Sequence, residues 1–187
     1  MRKAERGFTL VELAIVLVII GIILGAILKG QEIIANAKIK RIVNDYKSIV
    51  AAIYTYQERY GSLPGDDPNA TTRFGSCAGS NGDGDGRMDD EDTATTGRYW
   101  RHMRCAGIIT GSGGNHPTNP YAGVIFIGYA MYNLSGHNIC FTNIPGDVAE
   151  IVDRMNDDGI PNAGSIQGNT TATTYNHADT YTLCFRM

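Results

Sequence analysis

Little in the first sixty residues can interrupt a helix. No proline occurs between residues 8 and 60, no cysteine before Cys77, and a single charged side chain, Glu12, between residues 8 and 28. Without proline the backbone keeps every intrahelical donor, so one continuous helix is allowed. Elsewhere too the absences exclude function classes. Residues 61–187 carry seven basic against fourteen acidic side chains, the reverse of a nucleic-acid-binding surface. No fibrous repeat or long single-sign charge block occurs, and an apolar content of 43% is too high for a disordered chain. The four cysteines show no C-x-x-C spacing, and none adjoins a histidine in a ligand pattern. His102, His116, His137 and His177 are scattered, and Gly111-Ser112-Gly113-Gly114 lacks the Lys-Ser/Thr of a phosphate loop. No catalytic constellation is legible, so the chain reads as a non-enzyme.

The 187 residues, with a net charge of −3, suit one domain and an appendage. Residues 8–28 form a twenty-one-residue apolar run, which as a helix spans about 30 Å, the hydrocarbon thickness of a bilayer. An export signal would have a shorter run and a small-residue cleavage site. Here Lys29 and an amphipathic pattern follow, which favours a retained membrane helix. Arg2, Lys3 and Arg6 favour a cytoplasmic amino end, an argument weakened by Lys38, Lys40 and Arg41 beyond the run. From Ile33, Ile34 and Ala37 through Ile42, Val43, Tyr46, Ile49, Val50 and Ile53 to Tyr60, steps of three, four and seven describe one helical stripe. Gly61 and Pro64 supply the stop. The expectation is one helix of about fifty residues, about 80 Å long, with Gly21, Gly25 and Gly30 as its weak points. Glu12 is anomalous, because a carboxylate inside a membrane helix costs about 2.5–3.5 kcal/mol on insertion scales. Position alone leaves it between snorkelling to the headgroups and a functional role.

Arg6-Gly7-Phe8-Thr9-Leu10-Val11-Glu12 resembles the processing site of type IV prepilins and type II secretion pseudopilins, over residues 1–30. The resemblance implies that a membrane-embedded prepilin peptidase cleaves between Gly7 and Phe8 and methylates the new Phe8 amine. It also implies that Glu12 pairs with the Phe8 amine of a neighbouring subunit as helices pack in a filament core. Residues 1–7 would then be a leader, 8–28 a transmembrane and filament-core helix, 29–60 its amphipathic continuation, and 61–187 an exported domain. Removing the leader changes the charge to 13 basic against 18 acidic, or −5.

Residues 61–187 offer strands at 121–132, 138–141 and 181–185, rich in β-branched and aromatic residues between turn signals. Two helices are expected, one over residues 95–109 and one from Pro145 with Val148, Ile151, Val152 and Met155 on one face. The fold class is α+β: a long amino-terminal helix packed on a small antiparallel sheet domain with disulfides, which is also the architecture the resemblance implies. In an exported domain, an even cysteine count favours two disulfides in one of three connectivities. The favoured one is Cys77–Cys105, clipping the acidic loop to the next helix, with Cys140–Cys184 holding the last strand.

Within residues 81–92, Asn81, Asp83 and Asp85 fill the first, third and fifth positions of a twelve-residue calcium loop, and Gly86 its sharp turn. Arg87 would offer its carbonyl, Met88 is the apolar eighth residue, and Asp89 would act directly or through water. Asp92 stands at the twelfth position where Glu is expected, with Glu91 one residue early. Six carboxylates in ten residues repel one another unless a hard cation holds them, so calcium is the expected cofactor; the competing reading is a solvated turn. Asp153, Asn156, Asp157 and Asp158 read as a plain turn after a helix, and Asp66 and Asp67 as turn chemistry. Tyr46, Tyr54, Tyr56 and Tyr60 read as core packing.

Together these features point to a structural subunit of a type IV pilus-like filament. Its partners would be further copies of the chain, the peptidase, and the inner-membrane pilus or secretion machinery. The expected location is the bacterial inner membrane for the precursor, then an extracellular filament or a periplasmic pseudopilus. The alternatives are a calcium-binding pseudopilin of a type II secretion system, or a membrane-anchored calcium-dependent binding protein that does not polymerise.

Overall fold

The structure, a computed structural model, describes residues 9–88 and 97–187. Gly7, Phe8, Asp89 and Asp92 lie outside the described residues. Two compact units are distinguished, Met1–Lys38 and Ile39–Met187. Helix α1 (Leu10–Tyr60) supplies the described part of the first and the opening element of the second.

In the first unit, the described apolar side chains are exposed, among them Leu10, Leu17, Ile22 and Leu28. Exposing each to water forgoes about 1.5–3 kcal/mol, so lipid or protein must cover this stretch. A Lys29–Glu32 ion pair of 2.7 Å stands at the carboxyl end of the apolar run.

In the second unit, α1 buries Ile39, Ile42, Ile49, Ala52, Ile53 and Tyr56 against the core, with Val43, Tyr46, Val50 and Tyr60 partly covered. The stripe therefore runs 39, 42, 46, 49, 53, 56, 60, alternating steps of three and four. Ile33, Ile34 and Ala37, expected on it, are exposed in the first unit. The helix ends where Gly61, at φ +70°, donates its N–H to the Gln57 carbonyl (2.8 Å), a left-handed stop that suits glycine.

The other described helices are α2 (Ala70–Phe74), α3 (Arg98–Cys105) and α4 (Gly146–Asn156). A 3₁₀ turn, Gly75–Cys77, follows α2. Strands β1 (Ile125–Tyr129), β2 (His137–Pro145), β3 (Ile166–Gly168) and β4 (Thr180–Arg186) form an antiparallel sheet in the order β1-β2-β4-β3. Its inner face presents Ile125, Ile127, Ile139, Phe141, Leu183 and Phe185 to the core of the second unit. Its outer face carries Cys140 and Cys184 under Leu134, with Phe126 and Met131 beside them. Cys140 and Cys184 are paired residues of β2 and β4 and are bonded; Cys77 is bonded to Cys105. The class is α+β, with a long amino-terminal helix packed on a small antiparallel sheet and two disulfides.

Four expectations change in detail. Of residues 121–132 only Ile125–Tyr129 is strand, because Asn119 Oδ1 accepts the Tyr121 and Gly123 amides and folds residues 119–123 into a turn. Strand β2 continues to Pro145 through a bulge, with Asn143 at φ +58°. Helix α3 stops at Cys105, four residues early. Gly107 at φ +68° donates to Arg104, and Ile108 reaches back to Met103, a Schellman ending. Helix α4 buries Val148, Ala149, Val152 and Asp153, leaving Ile151 and Met155 exposed. A buried carboxylate occupies the inward position that an apolar pattern assigns elsewhere.

Candidate functional site

At the amino end of α1, Glu12 closes a capping box. Its Oε2 accepts the Thr9 N–H (2.8 Å) and hydroxyl (2.8 Å), while the Glu12 N–H donates to Thr9 Oγ1 (3.2 Å). This satisfies two groups that a helix start leaves open and sets a negative charge at the positive end of the macrodipole. One Glu12 oxygen is used this way, and a carboxylate has acceptor capacity beyond it. Gly7 and Phe8, on either side of the expected cut, are outside the described set.

The second candidate lies in the second unit, where the residue 61–69 connection meets the acidic loop. The approach is closest at Gly82, where a Cβ would stand 2.2 Å from the Asp66 backbone carbon, so only glycine fits. Its N–H donates to the Asp67 carbonyl (2.9 Å). Asp66, 6% exposed, accepts the Gly84 amide at Oδ1 (2.7 Å) and the Gly86 amide at Oδ2 (2.9 Å). Burial raises its pKa, as do the Asp83 and Asp85 carboxylates beside it, against the lowering pull of the two amides. Carboxylate oxygens of Asp66, Asp83 and Asp85 all lie within 4.8 Å of one another. Hard oxygen donors at this separation could hold a metal ion, and the donor type suits calcium or magnesium.

This group differs from the loop pattern read along the chain. Asn81 Oδ1 accepts the Thr71 N–H and hydroxyl, each at 2.8 Å, so its side chain ties the loop to α2. Asp66, fifteen positions earlier and expected to be turn chemistry, stands in the cluster. Arg87 donates its N–H to Asp85 Oδ1 (2.8 Å), and its guanidinium lies over the Tyr129 ring at 4.9 Å. Met88 is fully buried and donates its N–H to His137 Nε2 (3.1 Å). The remaining expected ligands, Asp89 and Asp92, lie outside the described residues.

Asp67 is likewise no surface turn. Fully buried, it accepts the Tyr56 hydroxyl (2.8 Å) and Asn69 amide (2.9 Å) and pairs with Arg73. Burial alone would raise its pKa, but these partners together hold it below the ordinary carboxylate value. The turn chemistry expected here is present in the Asn69 amide on Asp67, but the burial of both aspartates was not legible, since it depends on Tyr56, Arg73, Gly84 and Gly86.

Asp153, Asp157 and Asp158 form a second group that could hold an ion. The plain-turn expectation is corrected at Asp153, which is fully buried and accepts the Tyr175 hydroxyl (2.7 Å) and the Gly159 amide (3.2 Å). Burial, with Asp158 and Asp157 adding repulsion, pushes its pKa up to about 6. Asp157 accepts the Ser165 and Ile166 amides and so anchors β3. Both groups contain protein-held carboxylates that already organise their own loops.

The histidines have separate partners: His137 accepts the Met88 N–H, as above. His102 is buried between Gly65 and Ser80, His116 accepts the Trp100 indole N–H (3.1 Å), and His177 faces Glu150 on the surface.

Residues 2–28 match the model of the prokaryotic N-terminal methylation motif. No curated protein and no solved structure matches the chain. The match spans the basic leader, the Gly7-Phe8 junction, Glu12 and the apolar run, and α1 carries that run as one exposed helix. Over these residues the chain bears the type IV prepilin leader signature.

Proposed function

We propose that the protein is a structural subunit of a type IV pilus-like filament. It waits in the inner membrane through residues 8–28. A prepilin peptidase removes residues 1–7 and methylates Phe8, and the assembly machinery packs the apolar helices of successive copies into a filament core. Residues 61–187 are then displayed outside, and residues 29–60 join core to domain. Glu12 keeps one oxygen on the Thr9 cap and gives the other to the Phe8 amine of a neighbouring subunit, which removes the cost of a lone charge in an apolar core. The observation that carries this reading is the leader signature on a helix whose apolar side chains are exposed in the single chain.

Mass spectrometry of filaments sheared from cells tests it. The expected result is an abundant species beginning at methylated Phe8. An intact Met1 in the native source would sink the proposal and leave a membrane-anchored domain that does not polymerise.

A second reading, a calcium-binding pseudopilin, is favoured by the convergence of Asp66, Asp83 and Asp85. Processed Phe8 confined to the membrane fraction, together with a calcium-dependent rise in melting temperature of the micelle-solubilised chain, would support it over a surface pilus.

A further inference from the structure

We propose that His102 is a pH-sensitive latch: neutral, it ties the Gly65 turn to the Ser80 end of the acidic loop, and protonated it lets that layer open while the sheet stays folded.

The geometry fixes one tautomer. The Gly65 N–H donates to His102 Nδ1 (3.0 Å), so Nδ1 must be bare; Nε2 then carries the proton and donates to the Ser80 carbonyl (2.9 Å). Both ring nitrogens of a fully buried imidazole are thus committed, each to a different segment. Adding a proton at Nδ1 turns an acceptor into a donor aimed at another donor, and it places a charge in the core. Gly65 precedes Asp66, and Ser80 precedes the stretch whose Gly82, Gly84 and Gly86 amides bond Asp67 and Asp66. Losing the Gly65 bond therefore loosens the contact on which those three bonds depend. The Cys77–Cys105 disulfide holds the 3₁₀ turn to the end of α3, so the opening is local. Strands β2 and β4 keep their own disulfide and ladder.

The surroundings favour the neutral ring. Burial lowers the His102 pKa first of all and outweighs the Ser80 carbonyl, which raises it, while Arg98 and Arg101 on its own helix add to the lowering. From α1 the Tyr56 ring stacks 6.3 Å away, with its hydroxyl committed to Asp67. From the residue 61–69 connection Asp67 pulls the other way, but Arg73 of α2 already neutralises it. The sign follows: the latch stabilises fully above the ordinary histidine value of 6.5 and is lost as pH falls through the lower folded value. No cation enters this argument, so the latch stands or falls apart from the calcium reading.

The test is an NMR pH titration of the full chain in detergent micelles with EDTA present, following the His102 ring and amide protection factors together. Gly65, Gly84 and Gly86 should lose protection at least tenfold with the midpoint of the His102 ring, while Ile139 and Leu183 keep theirs. In His102→Gln, which can donate and accept but does not titrate, the same loss should move to lower pH, into the carboxylate range. An unchanged midpoint in that variant would assign the opening to Asp66 or Asp67 and overturn the proposal. If the variant does not fold, a mismatch between ring and amide midpoints in the native chain overturns it alone.

Discussion

Two stretches of one helix, residues 10–38 and 39–60, obey opposite rules. The first, apolar on every side through Leu28 but for Glu12, leaves Leu10, Leu17 and Ile22 exposed; the second alternates, and buries Ile42, Ile53 and Tyr56 completely. Helix propensity does not distinguish them. What differs is the source of the covering surface: the second stretch finds it in its own chain, whereas the first must find it in lipid or other subunits. An all-round apolar helix thus calls for a covering surface that its own chain does not supply, and it is this stretch that carries the prepilin leader signature.

The largest effect that separates the two stretches comes from matched truncations. Ile53→Ala removes a fully buried side chain and should cost the second unit about 2–5 kcal/mol in unfolding free energy. Ile19→Ala, half exposed in the single chain, should leave that unfolding unchanged while lowering filament yield. Trp100, the chain's sole tryptophan and buried in the second unit, reports the unfolding by fluorescence. Equal losses in the two variants would erase the distinction.

Next comes a pH effect confined to the second unit. Burial pushes the Asp153 pKa up to about 6 in the fold from the ordinary 3.8, so the fold binds its proton more tightly than the unfolded chain does. Stability from this group is full below 3.8 and lost as pH rises through about 6. Asp153→Asn should flatten that part of the melting-temperature profile. Its sense is opposite to that of His102, whose contribution disappears in acid, so the two together narrow the pH range of greatest stability.

Calcium gives a smaller expected shift and discriminates between the two ligand sets. A bound ion adds about 1.4 kcal/mol at a free concentration ten times its dissociation constant. Asp66→Asn should abolish the calcium-induced rise in melting temperature. Asn81→Ala should lower the melting temperature itself, through loss of the Thr71 bonds, yet keep the calcium increment. The reverse pattern would restore the ligand order read along the chain.

That contrast shows where sequence reasoning stops. The leader, the single helix α1, the α+β class and the presence of disulfides follow from signals within a few residues: an ordered motif, a three-and-four spacing, a proline-free run. Strand β3 has only three residues, and it exists because Ile166, Gln167 and Gly168 pair with Phe185, Cys184 and Leu183 far along the chain. Asp66 becomes part of the candidate cation site through amides eighteen and twenty positions away. Asp153 is buried by Tyr175, twenty-two positions later. Burial of a turn aspartate depends on partners that no local pattern encodes, and so the polar interior was the part least legible beforehand.

The smallest expected effect bears on the first stretch and on Glu12. Thr9→Ala removes the hydroxyl that receives the Glu12 N–H and donates to Oε2, a cap worth about 1 kcal/mol. In micelles the variant should show fraying of the first turn of α1 by amide exchange and nothing more. In cells the outcome depends on what Glu12 faces. If its carboxylate meets the Phe8 amine of a neighbour, that contact survives loss of the cap, and Thr9→Ala filaments should form at near-normal yield while Glu12→Ala filaments do not. If the cap is the whole role of Glu12, the two variants should be impaired to a similar degree, since each breaks two of the three bonds: Thr9→Ala the two made by the hydroxyl, Glu12→Ala the two received by Oε2. Filament yield from the pair therefore distinguishes a residue that serves its own helix from one that serves the next subunit.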